Sequence, residues 1–158
     1  MAALGAALAA CAAGASTPLI EAVRQQNPAA VNALLDRGVD VNATEGDGST
    51  ALHWAAQRDD ARMIELLLEA GASPTAANRF DVRPLELAAN NGSRAAIELL
   101  LAAGADANAT SRAGQTPLMS AAANGRLDAV EALLARGAAV DAAEQWRGQT
   151  ALMFAAGE

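Results

Sequence analysis

The chain has 158 residues, of which 53% are hydrophobic but only 3% aromatic, and its formal net charge is −7. This length predicts a single domain, and the acidic balance argues against nucleic-acid binding, because phosphate contacts need a stripe of basic residues. A basic protein partner, or one with a mixed surface, fits the charge better. One Cys and one His exclude an internal disulfide, a Cys-based zinc site and a His-rich metal site.

Residues 1–15 are rich in alanine, carry no charged side chain and differ in pattern from the rest of the chain. The small residues at positions 13–15 are of the type that a signal peptidase accepts, which predicts an export signal. The stretch from Leu8 to Cys11 also resembles the lipobox of bacterial lipoproteins, in which the Cys would be acylated and would anchor the chain to a membrane. The absence of preceding Lys or Arg counts against both of these interpretations, and the alternative to export is a helix packed on the first repeat. Export predicts a periplasmic or secreted protein, and the packed helix a cytoplasmic one.

From Ser16 onward one unit recurs with a fixed spacing. The residue after each helix-capping position recurs every 33 residues, at Pro18, Ala51, Pro84 and Pro117. Glycines that end a second helix recur with the same spacing, at Gly38, Gly71, Gly104 and Gly137. A hydroxyl side chain such as that of Thr50 is typical of a helix N-cap, and glycine supplies the left-handed residue after a helix. Each unit is therefore predicted to be a short helix pair.

A period of this size is typical of stacked arrays, in which each unit buries its apolar face against its neighbours. The units resemble the ankyrin repeat. The resemblance rests on Thr17-Pro18-Leu19, Thr50-Ala51-Leu52-His53-Trp54-Ala55-Ala56, Thr116-Pro117-Leu118, Thr150-Ala151-Leu152, Gly71-Ala72 and Gly104-Ala105-Asp106-Ala107-Asn108. It implies an all-α solenoid of stacked helix-turn-helix units, with β-hairpin or turn fingers projecting between them. The stretches 50–56 and 146–153 most resemble ankyrin-repeat proteins of bacteria that carry export signals.

The array is predicted to hold repeats at about 16–44, 45–77, 78–110 and 111–143, with a partial fifth at 144–158. The first repeat has Glu21 where the second has Trp54, and a polar residue there suits a terminal capping repeat. The fifth unit starts one residue late at Thr150, so we expect the fourth finger to absorb the extra residue. Only one helix of that unit is present, which predicts that the array continues beyond Glu158.

The second finger departs from the pattern at two positions. Asp81 replaces the turn glycine, and Asp tolerates the left-handed region better than most residues. Arg83 replaces the capping Thr, which we expect to cost about 1 kcal/mol locally.

No set of residues in the sequence suggests catalysis. A nucleophile–histidine pair would have to use His53, but the resemblance implies that a His at this position bonds adjacent repeats. Cys11 lies outside the repeats. Glu65, Glu98 and Glu131 recur at one position of the second helix and are interpreted as solvated charges rather than an acid–base pair. We expect no cofactor, metal or small-molecule substrate.

Binding to another protein is the better interpretation, because the resemblance implies a concave surface of finger tips and first helices. Residues that vary between otherwise similar repeats are the candidates. The predicted contacts are Asp47, Arg58, Arg79, Phe80, Asn91, Arg112, Gln115, Asn124, Trp146 and Arg147. Arg and aromatic residues dominate interface hot spots. Phe80 could instead fold onto its own finger and Trp146 onto the adjacent helix ends, whereas Trp54 is predicted to lie in the core.

The sequence therefore predicts a non-catalytic scaffold for protein–protein interaction. Two alternatives remain open. The chain could be the interaction module of a longer enzyme whose catalytic part lies outside it, or a lipid-anchored structural spacer.

Overall fold

The structure, a computed structural model, describes residues 17–157. The signal-like segment 1–15 and the lipobox at Cys11 lie outside the described residues. The described part of the chain forms nine helices: α1 (Pro18–Arg24), α2 (Pro28–Asp36), α3 (Ala51–Gln57), α4 (Ala61–Glu69), α5 (Pro84–Asn91), α6 (Arg94–Ala102), α7 (Pro117–Ala123), α8 (Leu127–Ala135) and α9 (Ala151–Ala156). None of these helices is long and apolar enough to cross a membrane.

The helices stack as successive pairs. The first helices α1, α3, α5, α7 and α9 pack side by side in one row, and the second helices α4, α6 and α8 pack in another. The first-helix row is packed more closely than the second-helix row. The prediction of an all-α solenoid is confirmed.

The core is a continuous seam of aliphatic residues between neighbouring pairs. Its largest fully buried side chains include Leu52, Ile64, Leu67, Leu85, Ile97, Leu100, Met119 and Leu133. The predicted core residue Trp54 and the apolar residue Leu134 are both less buried than this seam. Trp54 is only half-buried, because it lies on the first-helix side of the array, where its indole N–H bonds to a carboxylate. Leu134 is 41% exposed, because it lines an open groove beside α8.

Side-chain caps begin most helices, as the Thr pattern predicts. The Thr17 hydroxyl accepts a bond from the Ile20 amide at 3.3 Å, and Thr116 does the same for Met119 at 3.3 Å. At Thr50 the hydroxyl instead lies 2.9 Å from Nδ1 of His53. Capping at this helix is therefore shared with a buried imidazole.

The helix-ending and turn positions confirm the backbone predictions. Gly71 has φ +89° and Asp81 has φ +58°, so both adopt the left-handed region. Arg83 makes no side-chain capping bond at the start of α5. Its guanidinium donates to the carbonyl of Thr110 at 3.0 Å and thereby links the start of α5 to the segment that follows α6.

Four fingers project between the helix pairs, at residues 45–49, 78–82, 111–115 and 144–149, here called fingers 1 to 4. In each, the first residue's N–H donates to the last residue's carbonyl at 2.9 or 3.0 Å. Only isolated β-bridges accompany fingers 1 and 4, so the fingers take the turn form rather than the hairpin form. Finger 4 spans one residue more than the others, which confirms where the extra residue is absorbed.

Candidate protein-binding surface

The ten residues predicted to bind a partner form two rows on the first-helix side of the array. Seven lie in fingers: Asp47, Arg79, Phe80, Arg112, Gln115, Trp146 and Arg147. Three lie at the C-terminal ends of first helices: Arg58, Asn91 and Asn124. An α-helix rises 1.5 Å per residue, so a seven-residue first helix separates the rows by about 10 Å. We call the finger tips and the exposed sides of the first helices the ridge.

Equivalent positions of the finger row carry side chains of different chemistry. Asp47, Phe80 and Trp146 occupy the same position in fingers 1, 2 and 4. Phe80 is 66% exposed and Trp146 is 87% exposed, so neither folds back onto its surroundings. Asp47 accepts bonds from the Ser49 amide at 2.9 Å and hydroxyl at 3.0 Å. These bonds, the amide's first, hold the pKa of Asp47 below its usual value.

Hydrogen bonds join the fingers to one another. The Arg79 amide donates to the Asp47 carbonyl at 2.9 Å, and the Gln145 amide donates to the Ala113 carbonyl at 3.1 Å. Between fingers 2 and 3 a side-chain ion pair connects Arg112 Nε to Asp81 Oδ2 at 2.6 Å. The finger row is thus held as one preorganised surface, which lowers the ordering cost of binding.

The asparagines at the C-terminal ends of the first helices stabilise the fold in addition to lying on the surface. Nδ2 of Asn91 donates to the carbonyls of Ala56 and Gln57 at 3.0 and 2.9 Å, which satisfies the exposed end of α3. Nδ2 of Asn124 donates to Ser120 O at 2.8 Å and to the side chain of the preceding repeat's Asn90 at 3.2 Å. Asn91 and Asn124 therefore have structural roles that the sequence reasoning did not assign.

A three-residue cluster at the N-terminal end of the ridge escaped the sequence reasoning. Nη2 of Arg24 and Nε1 of Trp54 each donate to Oε2 of Glu45 at 2.9 Å. The guanidinium carbon of Arg24 lies 3.8 Å from the Trp54 ring centroid, within cation–π range. The sequence signal that could have revealed it is that Glu45 and Glu144 occupy the same position, the first residue of fingers 1 and 4.

A cavity of about 230 Å³ lies at the opposite end of the ridge, between fingers 3 and 4. Its walls include Trp146, Arg147 and Gln115 from the predicted set, together with Glu144 and Phe154. Glu144 is 7% exposed. Its carboxylate accepts bonds from the amides of Trp146, Arg147 and Gln149 at 2.5, 2.6 and 3.2 Å. These bonds, that of Trp146 above all, lower the pKa of Glu144 and keep it ionised.

The geometry of His53 fits a structural role between repeats. Nδ1 accepts the Thr50 amide at 3.1 Å, so the proton is on Nε2, which donates to the Val82 carbonyl of the next finger at 3.1 Å. Burial lowers the pKa of His53, and the Val82 bond and nearby Asp47 oppose this only in part. The neutral ring bonds two repeats, as the resemblance implied.

An apolar groove of about 460 Å³ lies beside α8 and α9, away from the fingers. Leu127, Leu134, Val140 and Leu152 line it and are 41 to 79% exposed. Among residues 17–157 no group of three or more His, Cys, Asp or Glu side chains is placed to hold a metal ion.

Comparison with known families agrees with the architecture. A family model described as ankyrin repeats in three copies matches residues 4–78 and 85–158. The chain belongs to the ankyrin repeat family. No curated protein matches the chain. Ankyrin repeats are generally modules for protein–protein interaction, and ankyrin-repeat domains are typically not catalytic. The bacterial and exported part of the resemblance stays a prediction.

Proposed function

We propose that this chain is a non-catalytic scaffold that binds a partner protein through the ridge. The observation that carries the proposal is the pair of strongly exposed aromatic side chains, Phe80 and Trp146, on fingers that hydrogen bonds fix in place. Aromatic side chains are enriched at protein interfaces, where they bury a large apolar area. Both residues stand next to arginines, Arg79 and Arg147, and this combination is typical of interface hot spots.

The net charge of −7 favours a partner with a basic or mixed surface, because complementary charge speeds encounter and disfavours wrong partners. The chain itself supplies carboxylates along the ridge at Asp47, Asp81 and Glu144.

The test uses a photo-crosslinking amino acid placed at position 80 or 146, with the chain exposed to an extract of its native compartment. We expect both positions to capture the same protein. The matched controls are position 65, which is exposed on the second-helix side, and position 152, which lies in the apolar groove. Capture from position 65 or 152 but not from 80 and 146 would move the binding surface off the ridge.

Affinity for the captured partner then measures the contribution of the anchors. Truncation of a hot-spot residue costs about 2 kcal/mol or more, so Trp146→Ala or Phe80→Ala should weaken binding at least tenfold. Circular dichroism should show both variants folded, since both side chains are exposed. Unchanged affinity in both would contradict the proposal.

A further inference from the structure

The two ends of the ridge share one local design. In finger 1 the Glu45 amide donates to Ser49 O, and in α3, which follows, the Trp54 amide donates to Thr50 O. In the same way, the Glu144 amide of finger 4 donates to Gln149 O, and the Phe154 amide of α9 donates to Thr150 O. An isolated bridge closes each finger base, Thr44 to Thr50 and Ala143 to Thr150. Each end therefore presents one glutamate and one aromatic side chain at matching positions.

At the N-terminal end a side chain of the protein itself occupies this design. Arg24 is the last residue of α1, and its guanidinium bonds to Glu45 while lying over the ring of Trp54. The arginine is held by charge and by an aromatic face together, which is the recognition that guanidinium groups favour. The fold thus contains an example of what this arrangement binds.

At the C-terminal end the matching position carries no such side chain. Ala123 is the last residue of α7, as Arg24 is of α1, and it is exposed. Alanine lacks the guanidinium that Arg24 supplies at the other end, and the counterparts of Glu45 and Trp54, Glu144 and Phe154, line the cavity of about 230 Å³. Trp146 adds an 87% exposed aromatic wall that the N-terminal end does not have.

The groups lining the cavity suit a guanidinium. The Glu144 carboxylate supplies negative charge, and the side-chain oxygen of Gln115 is a further acceptor. Phe154 and Trp146 supply ring faces for cation–π contact. Arg147 is the one basic residue in the lining, and its exposed side chain has room to turn toward solvent.

Building on the proposed function, we propose that this cavity is the specificity pocket of the ridge and that it receives an arginine side chain of the partner protein. The partner's arginine takes the place that Arg24 takes at the other end. An acidic partner residue held by Arg147 is the competing arrangement.

The pocket can be tested without the partner. The probes are Nα-acetyl-arginine amide, its citrulline analogue, which keeps the shape but lacks the charge, and Nα-acetyl-glutamate amide. The readout is the NMR shift of the Trp146 indole N–H during titration. We expect saturable binding of the arginine probe at about millimolar Kd, the strength of a single weak contact, and at least tenfold weaker binding of the other two.

The variant Ala123→Arg supplies the decisive control. The new side chain should occupy the cavity as Arg24 occupies its counterpart, so the arginine probe should lose at least tenfold in affinity. Ala123→Gln introduces a long but neutral side chain and should retain more than half of the affinity for the arginine probe. Both changes are at an exposed position, so both variants should fold. Equal binding of citrulline, preferential binding of glutamate, or full binding to Ala123→Arg would each overturn the proposal.

The outcome is distinguishable from a failure of the proposed function. If Trp146→Ala weakens partner binding while Ala123→Arg changes the binding of neither the partner nor the arginine probe, the ridge remains the binding surface and the proposed arginine pocket is wrong. If neither variant affects partner binding, the ridge assignment itself fails.

Discussion

The two ends of the ridge differ mainly in whether the protein fills its own site. At the N-terminal end Arg24, Glu45 and Trp54 form a closed cluster, whereas at the C-terminal end Glu144 and Phe154 border an open cavity. Finger 4 is one residue longer than finger 1, but the glutamate and the aromatic residue of each end follow the same hydrogen-bond pattern. We infer that the side chain at the end of the preceding first helix, Arg24 or Ala123, decides whether such a position stabilises the fold or remains available to a ligand.

The largest expected difference between the two ends concerns their aromatic residues. Trp54→Ala removes contacts with Arg24, Glu45 and the core at once. Truncation of a buried Trp or Phe costs about 3–5 kcal/mol, so we expect about 2–3 kcal/mol for the half-buried Trp54. Phe154→Ala in α9, which packs on the array from one side, should cost clearly less. Urea unfolding monitored by circular dichroism measures both, and equal losses would contradict the closed-versus-open distinction.

The next effect concerns the two glutamates. Side chains of Arg24 and Glu45 are 30% and 12% exposed, so Glu45→Gln weakens a largely shielded charged bond and should cost about 1–2 kcal/mol. A double-mutant cycle with Arg24→Met isolates the pair. Glu144→Gln should act differently, because the Glu144 carboxylate accepts bonds from three amides of its own finger. In Glu144→Gln, hydrogen exchange should become faster at the amides of Trp146 and Arg147 without a loss of global stability. For the other end, a near-zero coupling energy between Arg24 and Glu45 would contradict the closed cluster.

Dependence of stability on pH should arise at the N-terminal side of the array. The pKa of His53 is lowered by burial, so the unfolded chain, with a pKa of about 6.5, binds the proton more readily. The stability contribution is complete above pH 6.5 and is lost as pH falls below it. Burial raises the pKa of Glu86, although nearby Arg83 opposes this. The contribution of Glu86 to the free energy of unfolding therefore changes with pH in the opposite direction to that of His53.

The chain offers the matched control for this pH effect. Met119 and Met153 occupy the His53 position in α7 and α9, so His53→Met is a natural substitution for this scaffold. It should flatten the fall in unfolding free energy between pH 6.5 and 5. A profile that keeps its slope in His53→Met would assign the effect to the carboxylates instead.

The smallest effect is expected between the two ends. Arg112 and Asp81 join fingers 2 and 3, but the Arg112 side chain is 73% exposed. Exposed ion pairs contribute about 0–1 kcal/mol, so Arg112→Ala should change the unfolding free energy by about 0.5 kcal/mol or less. Thermal unfolding at low and high salt measures it. A loss as large as that of Glu45→Gln would mean that the finger row stabilises the array as much as the closed cluster does.

Most of the fold could be predicted because the period, the caps and the helix-ending glycines repeat. The insertion in finger 4 was placed correctly for the same reason, since α9 had to restart in phase with α7. The structural contacts of the helix-end asparagines and the Arg24 cluster were missed because these contacts cross from one repeat to the next. Trp54 was misplaced because its apolar counterparts Leu87 and Phe154 suggested a core position, and these too are only half-buried.

The sequence alone determined the helix pairs, their number and their stacking, because hydrophobic period and local capping are properties of short segments. It also identified the finger residues that vary between repeats. Only the tertiary structure decided which of these are exposed and which are engaged by a neighbouring repeat. The reason is that contacts between repeats join side chains far apart in the sequence: Arg24 bonds to Glu45, 21 residues later, whereas the residue 21 positions before Glu144 is Ala123.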